Sequence, residues 1–132
     1  MTATVEVHGE IPNIVGAKCE GVLSQGLIYG IEVVQDSVLF IKANDAWHRL
    51  AIDNGVVFWR QQDDEPRSWS IPADGFHFPV RDVAVVAGMQ GLRFESLSQA
   101  QSGSTTFVEL TFSAGRVIRF SERGGQTTLE LR

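Results

Sequence analysis

At 132 residues with 43% hydrophobic content, the chain has the size of one domain and can bury a core without covalent staples. A net charge of −5 argues against a general nucleic-acid binder, which carries a basic excess, although a local basic patch remains compatible with it. Cys19 is the only cysteine, so an intrachain disulfide and four-cysteine zinc sites are excluded, and it reads as a small, partly buried hydrophobe.

Met1 to Glu6 has neither the basic region nor the apolar run of a secretion signal. The longest apolar stretch, Val83 to Met89, is too short to span a bilayer. Together with the lone cysteine, these features predict a cytoplasmic protein without membrane contact.

Helical periodicity is nearly absent, and alternation with turn signals recurs about every ten residues. The expectation is an all-β domain over residues 1–132, with about ten short, mostly antiparallel strands. They would form a barrel or a two-sheet sandwich, with no long helix. A first strand is predicted over Thr4 to His8, then an irregular connection from Gly9 to Gly21. A meander follows: Leu27–Val34, Ser37–Ala43, Ala46–Ile52 and Val56–Gln61. Asn44-Asp45 suits a two-residue turn, since both residues tolerate positive φ.

Asp53-Asn54-Gly55 admits two hairpin registers. With Asn54-Gly55 as a two-residue loop, Leu50 faces Trp59 and Arg49 faces Arg60. With all three residues in the loop, Leu50 faces Phe58 and Arg49 faces Trp59. The first places like charges opposite each other, at a cost of a few tenths of a kcal/mol, unless an anion or acid lies nearby. The second offers a cation–π contact worth about 0.5–1 kcal/mol. Turn preference favours the first register and electrostatics the second; the first is taken here.

Gln61 to Pro66 reads as a polar loop. Arg67–Ile71 and Phe76–Val80 read as short strands, pushed to sheet edges by Pro72 and Pro79. Asp82–Ala87 and Leu92–Leu97 resemble a hairpin around Gly88-Met89-Gln90-Gly91, and Ser96 to Ser104 reads as a flexible loop.

From Thr105 to Arg132 the pairing can be written residue by residue. A Ser113-Ala114-Gly115 loop and a Gly124-Gly125 loop place Val108 and Leu110 beside Phe120 and Ile118, and these beside Leu129 and Leu131. The opposite face aligns Glu109, Arg119 and Glu130 as a structural salt row. Trp47–Gln61 also echoes Phe107–Ser121 at a shift of sixty positions, with Leu50, Gly55 and Val57 on Leu110, Gly115 and Val117; generic strand patterning explains it.

Signatures of hydrolases, nucleotide binding, zinc proteases and calcium loops are missing. His8, His48 and His77 lie on separate segments without the close pair expected of a metal site, and Asp63-Asp64-Glu65 reads as a solvated loop tip. No cofactor is implied. The informative surface is the second face of the meander. If Ile31, Val33, Leu39, Ile41, Leu50, Ile52, Val57 and Trp59 face the core, then Phe40, Lys42, Trp47, Arg49, Phe58 and Arg60 face outward.

Trp and Arg in such a mixture are enriched at binding surfaces. Lys42, Trp47, Arg49, Phe58 and Arg60 are therefore the candidate binding residues of a non-enzymatic interaction domain. Its partner would be another protein or a second copy. Coverage of this face by Arg67–Val80, with Asp63, Asp64 or Glu65 neutralising the arginines, is the structural alternative. A lipocalin-like barrel holding a small molecule is the second functional reading, and a His-dependent enzyme using His48 or His77 the third.

Overall fold

The computed structural model describes residues 2–132. In chain order its strands are β1 (Thr2–Ala3), β2 (Glu6–His8), β3 (Gly21–Tyr29), β4 (Glu32–Ala43), β5 (Ala46–Asp53) and β6 (Val56–Gln62). Then follow β7 (Trp69–Ile71), β8 (Phe76–Phe78), β9 (Val80–Asp82) and one helical turn, α1 (Val83–Val86). The chain closes with β10 (Phe94–Ser102), β11 (Thr105–Phe112), β12 (Val117–Arg123) and β13 (Gln126–Leu131).

These strands build two sheets and no closed barrel, which decides for the sandwich. The smaller sheet runs β1-β10-β11-β12-β13, and the larger runs β2-β6-β5-β4-β3-β8-β7, with β9 also paired to β3. All pairings are antiparallel except β2 with β6. One core fills the space between them. Leu39, Ile41, Leu50, Ile52, Val57 and Trp59 meet Phe94, Val108, Leu110, Phe112, Ile118 and Phe120 there. Each fully buried side chain of this size contributes about 1.5–3 kcal/mol.

The hairpins follow their turn chemistry. Asn44-Asp45, Asn54-Gly55 and Gly124-Gly125 all adopt positive φ, the left-handed pair that matches the twist of flanking strands. Val108 pairs with Phe120, Leu110 with Ile118, and these with Leu129 and Leu131, as expected. Glu109, Arg119 and Glu130 align in register. Arg119 reaches Glu109 at 3.8 Å while lying over the Phe107 ring, and Glu130 pairs instead with Arg132 at 3.8 Å.

Several expectations are corrected. Leu27–Val34 is not one strand: β3 ends at Tyr29, Gly30-Ile31 forms the turn, and β4 begins at Glu32. Ile31 is consequently fully exposed and Val33 is 64% exposed, so neither joins the core. The strand expected over Thr4–His8 is shorter, confined to β2 (Glu6–His8) in the larger sheet, and β1 precedes it in the smaller sheet. Asp82–Ala87 is not a strand, because the Asp82 carboxylate accepts the Val85 N–H at 3.0 Å and caps α1.

Ser96–Ser104 is no loop; most of it is β10, paired along its length with β11. Its polar side chains are used: Gln99 accepts the buried Trp59 indole N–H at 2.9 Å. Phe76–Val80 also divides, and β8 lies inside the sheet between β3 and β7, leaving β7 alone at that edge. The sixty-position echo ends at the turns. Leu50 faces Trp59, but Leu110 faces Ile118, one position short of the shifted register.

Between Gln25 and Leu27 the β3–β4 ladder is irregular, and β4 carries extra residues there. Gly26 makes this possible, since a Cβ would lie 2.9 Å from the carbonyl oxygens of Val34 and Gln35. The bulge tucks Asp36 inward, where it accepts Ser24 Oγ and Arg81 Nη2, each at 2.6 Å.

Candidate functional site

The Asp53-Asn54-Gly55 hairpin takes the first of its two registers: Asp53 pairs with Val56, Leu50 with Trp59, and Arg49 with Arg60. Strand alternation then sends Leu50, Ile52, Val57 and Trp59 into the core and Arg49, Ala51, Phe58 and Arg60 outward. The outer face of the larger sheet is therefore where the predicted site residues lie, but they divide between two environments.

Lys42 and Trp47 belong to a covered end. Trp47 is only 5% exposed and, with Val38 and Phe40, forms a second, smaller apolar cluster. Its ring leans across β4 towards Gly21, where a Cβ would lie 3.2 Å from the indole, and Lys42 Nζ sits 5.8 Å from the ring centroid. Gln62 pairs with Trp47, while Ser68 Oγ accepts the Val80 N–H on β9. The connection 63–68 must therefore travel from β6 to beyond β3. Pro66 is half-buried along it, and Trp47 packs against Val38 and Phe40. Trp47 is thus anchor rather than binding surface.

Arg49, Phe58 and Arg60 occupy the open end. They line a groove of about 670 Å³ together with apolar Leu27, Val34 and Ala51. The His8 ring tilts against Phe58 at 5.3 Å, and His8 Nε2 lies 2.6 Å from Glu6. Gly9, beside it, has φ +87°, and a Cβ there would fall 1.9 Å from the Trp59 carbonyl oxygen, so only glycine lets the chain leave β2 at the groove.

The electrostatics of this end are unusual. Arg49 is half-buried, and its guanidinium is held below the ordinary arginine value, first by burial and then by the charge of Arg60. Among the described residues no carboxylate oxygen lies within 4.0 Å of either arginine. Asp63, Asp64 and Glu65 therefore do not neutralise them, and β7 and β8 extend the sheet rather than cover it.

The outer face continues beyond β3 into a row of rings that sequence reasoning did not assemble. Tyr29 stacks on Phe76 at 4.4 Å, Phe76 lies 6.2 Å from Phe78, and Phe78 stacks on Trp69 at 4.0 Å. Tyr29 is 49% exposed and Trp69 50%. The alternation Phe76-His77-Phe78 was a signal, but the partners of that strand were not legible.

His8, His48 and His77 do not meet. His48 pairs with Ile41 and Gln61 on the core side of β5, where burial lowers its pKa, and His77 pairs with Ile28 on β3. Among the described residues no three histidine, cysteine or carboxylate side chains gather as a metal cluster. Among the described residues no helix is long and apolar enough to cross a membrane. Comparison of the chain with protein-family models, curated proteins and solved structures returns no match.

Proposed function

We propose that the protein is a non-enzymatic interaction domain that binds a protein partner through the open outer face of its larger sheet. One observation carries the reading: Arg49 and Arg60 are directly opposed across two strands, one of them half-buried, with no carboxylate oxygen within 4.0 Å among the described residues. Like charges in that arrangement destabilise the free protein, and a partner that neutralises them removes the cost on binding. Exposed Phe58 beside them and the Tyr29–Trp69 row beyond supply the apolar contact that anchors an interface.

The small-molecule reading is favoured by the groove's volume of about 670 Å³, a size that accommodates a compact ligand. Charge reversal by R49E/R60E tests the first reading. The expected result is loss of the partners recovered with the wild-type protein from its own host, or loss of self-association if the partner is a second copy. Unchanged recovery and unchanged molecular mass would remove the outer face from consideration.

A further inference from the structure

The Arg49–Arg60 pair names the chemistry of what it meets. Side chains directly opposite on neighbouring strands have Cβ atoms about 4.5–5.5 Å apart, so their guanidinium groups can close on one small anion. A guanidinium fork matches the two oxygens of a carboxylate, and such paired, charge-assisted hydrogen bonds are roughly twice as strong as neutral ones. Around them Phe58, Ala51, Leu27 and Val34 supply apolar walls, while His8, Ser37, Asp53 and Thr127 add polar groups to the lining. A free inorganic anion would leave those walls wet. The molecule as a whole carries a net charge of −5, so its long-range field does not gather anions, and recognition must come from contact at short range.

We infer that the groove recognises an extended segment of a protein partner in which an aspartate or glutamate is flanked by apolar residues. The carboxylate sits between Arg49 and Arg60, and the adjoining apolar residues pack on Phe58 and Ala51 and, beyond them, on Leu27 and Val34. This assignment rests on the partner-binding reading above and specifies its ligand.

Selection of a displayed library of random nonapeptides against the whole protein tests it. The expected winners carry an acidic residue beside apolar ones. Synthetic copies should lose about tenfold or more in affinity when the acid is replaced by its amide, when Arg49 becomes Gln (R49Q), or when Arg60 becomes Gln (R60Q). Arg60 is exposed, so R60Q decides the matter if R49Q fails to fold. Neutral winners that still need Phe58 overturn the carboxylate assignment and leave the partner reading standing. Acidic winners indifferent to both arginine variants overturn it as well. An empty selection overturns it too, and if decanoate then binds where decanol does not, the groove belongs to a small amphiphile. Failure of the partner reading itself shows separately, as unchanged partner recovery with R49E/R60E.

Discussion

Cys19 is completely buried, and its thiol is pushed up to about 11 from 9.0. Burial is the main cause; the Gly21 backbone N–H works against it, and the charges of Asp82 and Glu20 add to it. Unfolded chains lose this proton near pH 9, whereas the native state keeps it to about 11. The stability tied to the neutral thiol is thus complete below pH 9 and is lost as pH rises through 11. The loss amounts to about 2–3 kcal/mol. Urea unfolding across that window should show the decline in the wild type and a flatter profile in C19A. An equal decline in both would assign it to other groups. The single cysteine was legible as a small, partly buried hydrophobe; the structure buries it completely, and its chemistry follows from that burial.

At the scale of elements, the sequence was most informative where turn residues and alternation agreed. Gly124-Gly125 specifies a loop of known length, and a two-residue loop permits only one pairing of the strands it joins, whereas Asp53-Asn54-Gly55 admitted two registers, of which the structure takes the two-residue loop. It was least informative where polar strands are paired on both sides, as in β10, because glutamine and serine carry no hydrophobic alternation to read. The β3–β4 tip was misread because Ile31 and Val33 are apolar yet exposed. This has a measurable consequence. Ile31→Ala should change unfolding free energy by no more than about 0.5 kcal/mol, whereas Ile41→Ala should cost about 2–5 kcal/mol. Comparable losses for the two in denaturant unfolding would return Ile31 to the core.

For the molecule as a whole, the two sheets are tied by a buried carboxylate. Glu122 on β12 accepts the Gly55 N–H at 2.7 Å from the β5–β6 turn and the Gly125 N–H at 2.9 Å from the β12–β13 turn. Removing it leaves two turn N–H groups unsatisfied near the sandwich end. Glu122→Ala should therefore cost about 2–3 kcal/mol, seen as a lower melting temperature with little change in secondary structure. A loss of a few tenths would mean that water replaces the carboxylate.

The amino-acid sequence by itself determined the all-β class and the registers of the β11–β12 and β12–β13 hairpins, and it narrowed the Asp53-Asn54-Gly55 hairpin to two registers. Those properties depend on period-two alternation and on turn residues, which act over a few positions. Only the tertiary structure decided that Trp47 is buried with Val38 and Phe40, that Tyr29, Phe76, Phe78 and Trp69 join into one row, and that among the described residues no acid reaches the two arginines. Each of these depends on which distant strands become neighbours and on what passes over a face, and alternation is identical whichever partner a strand finds.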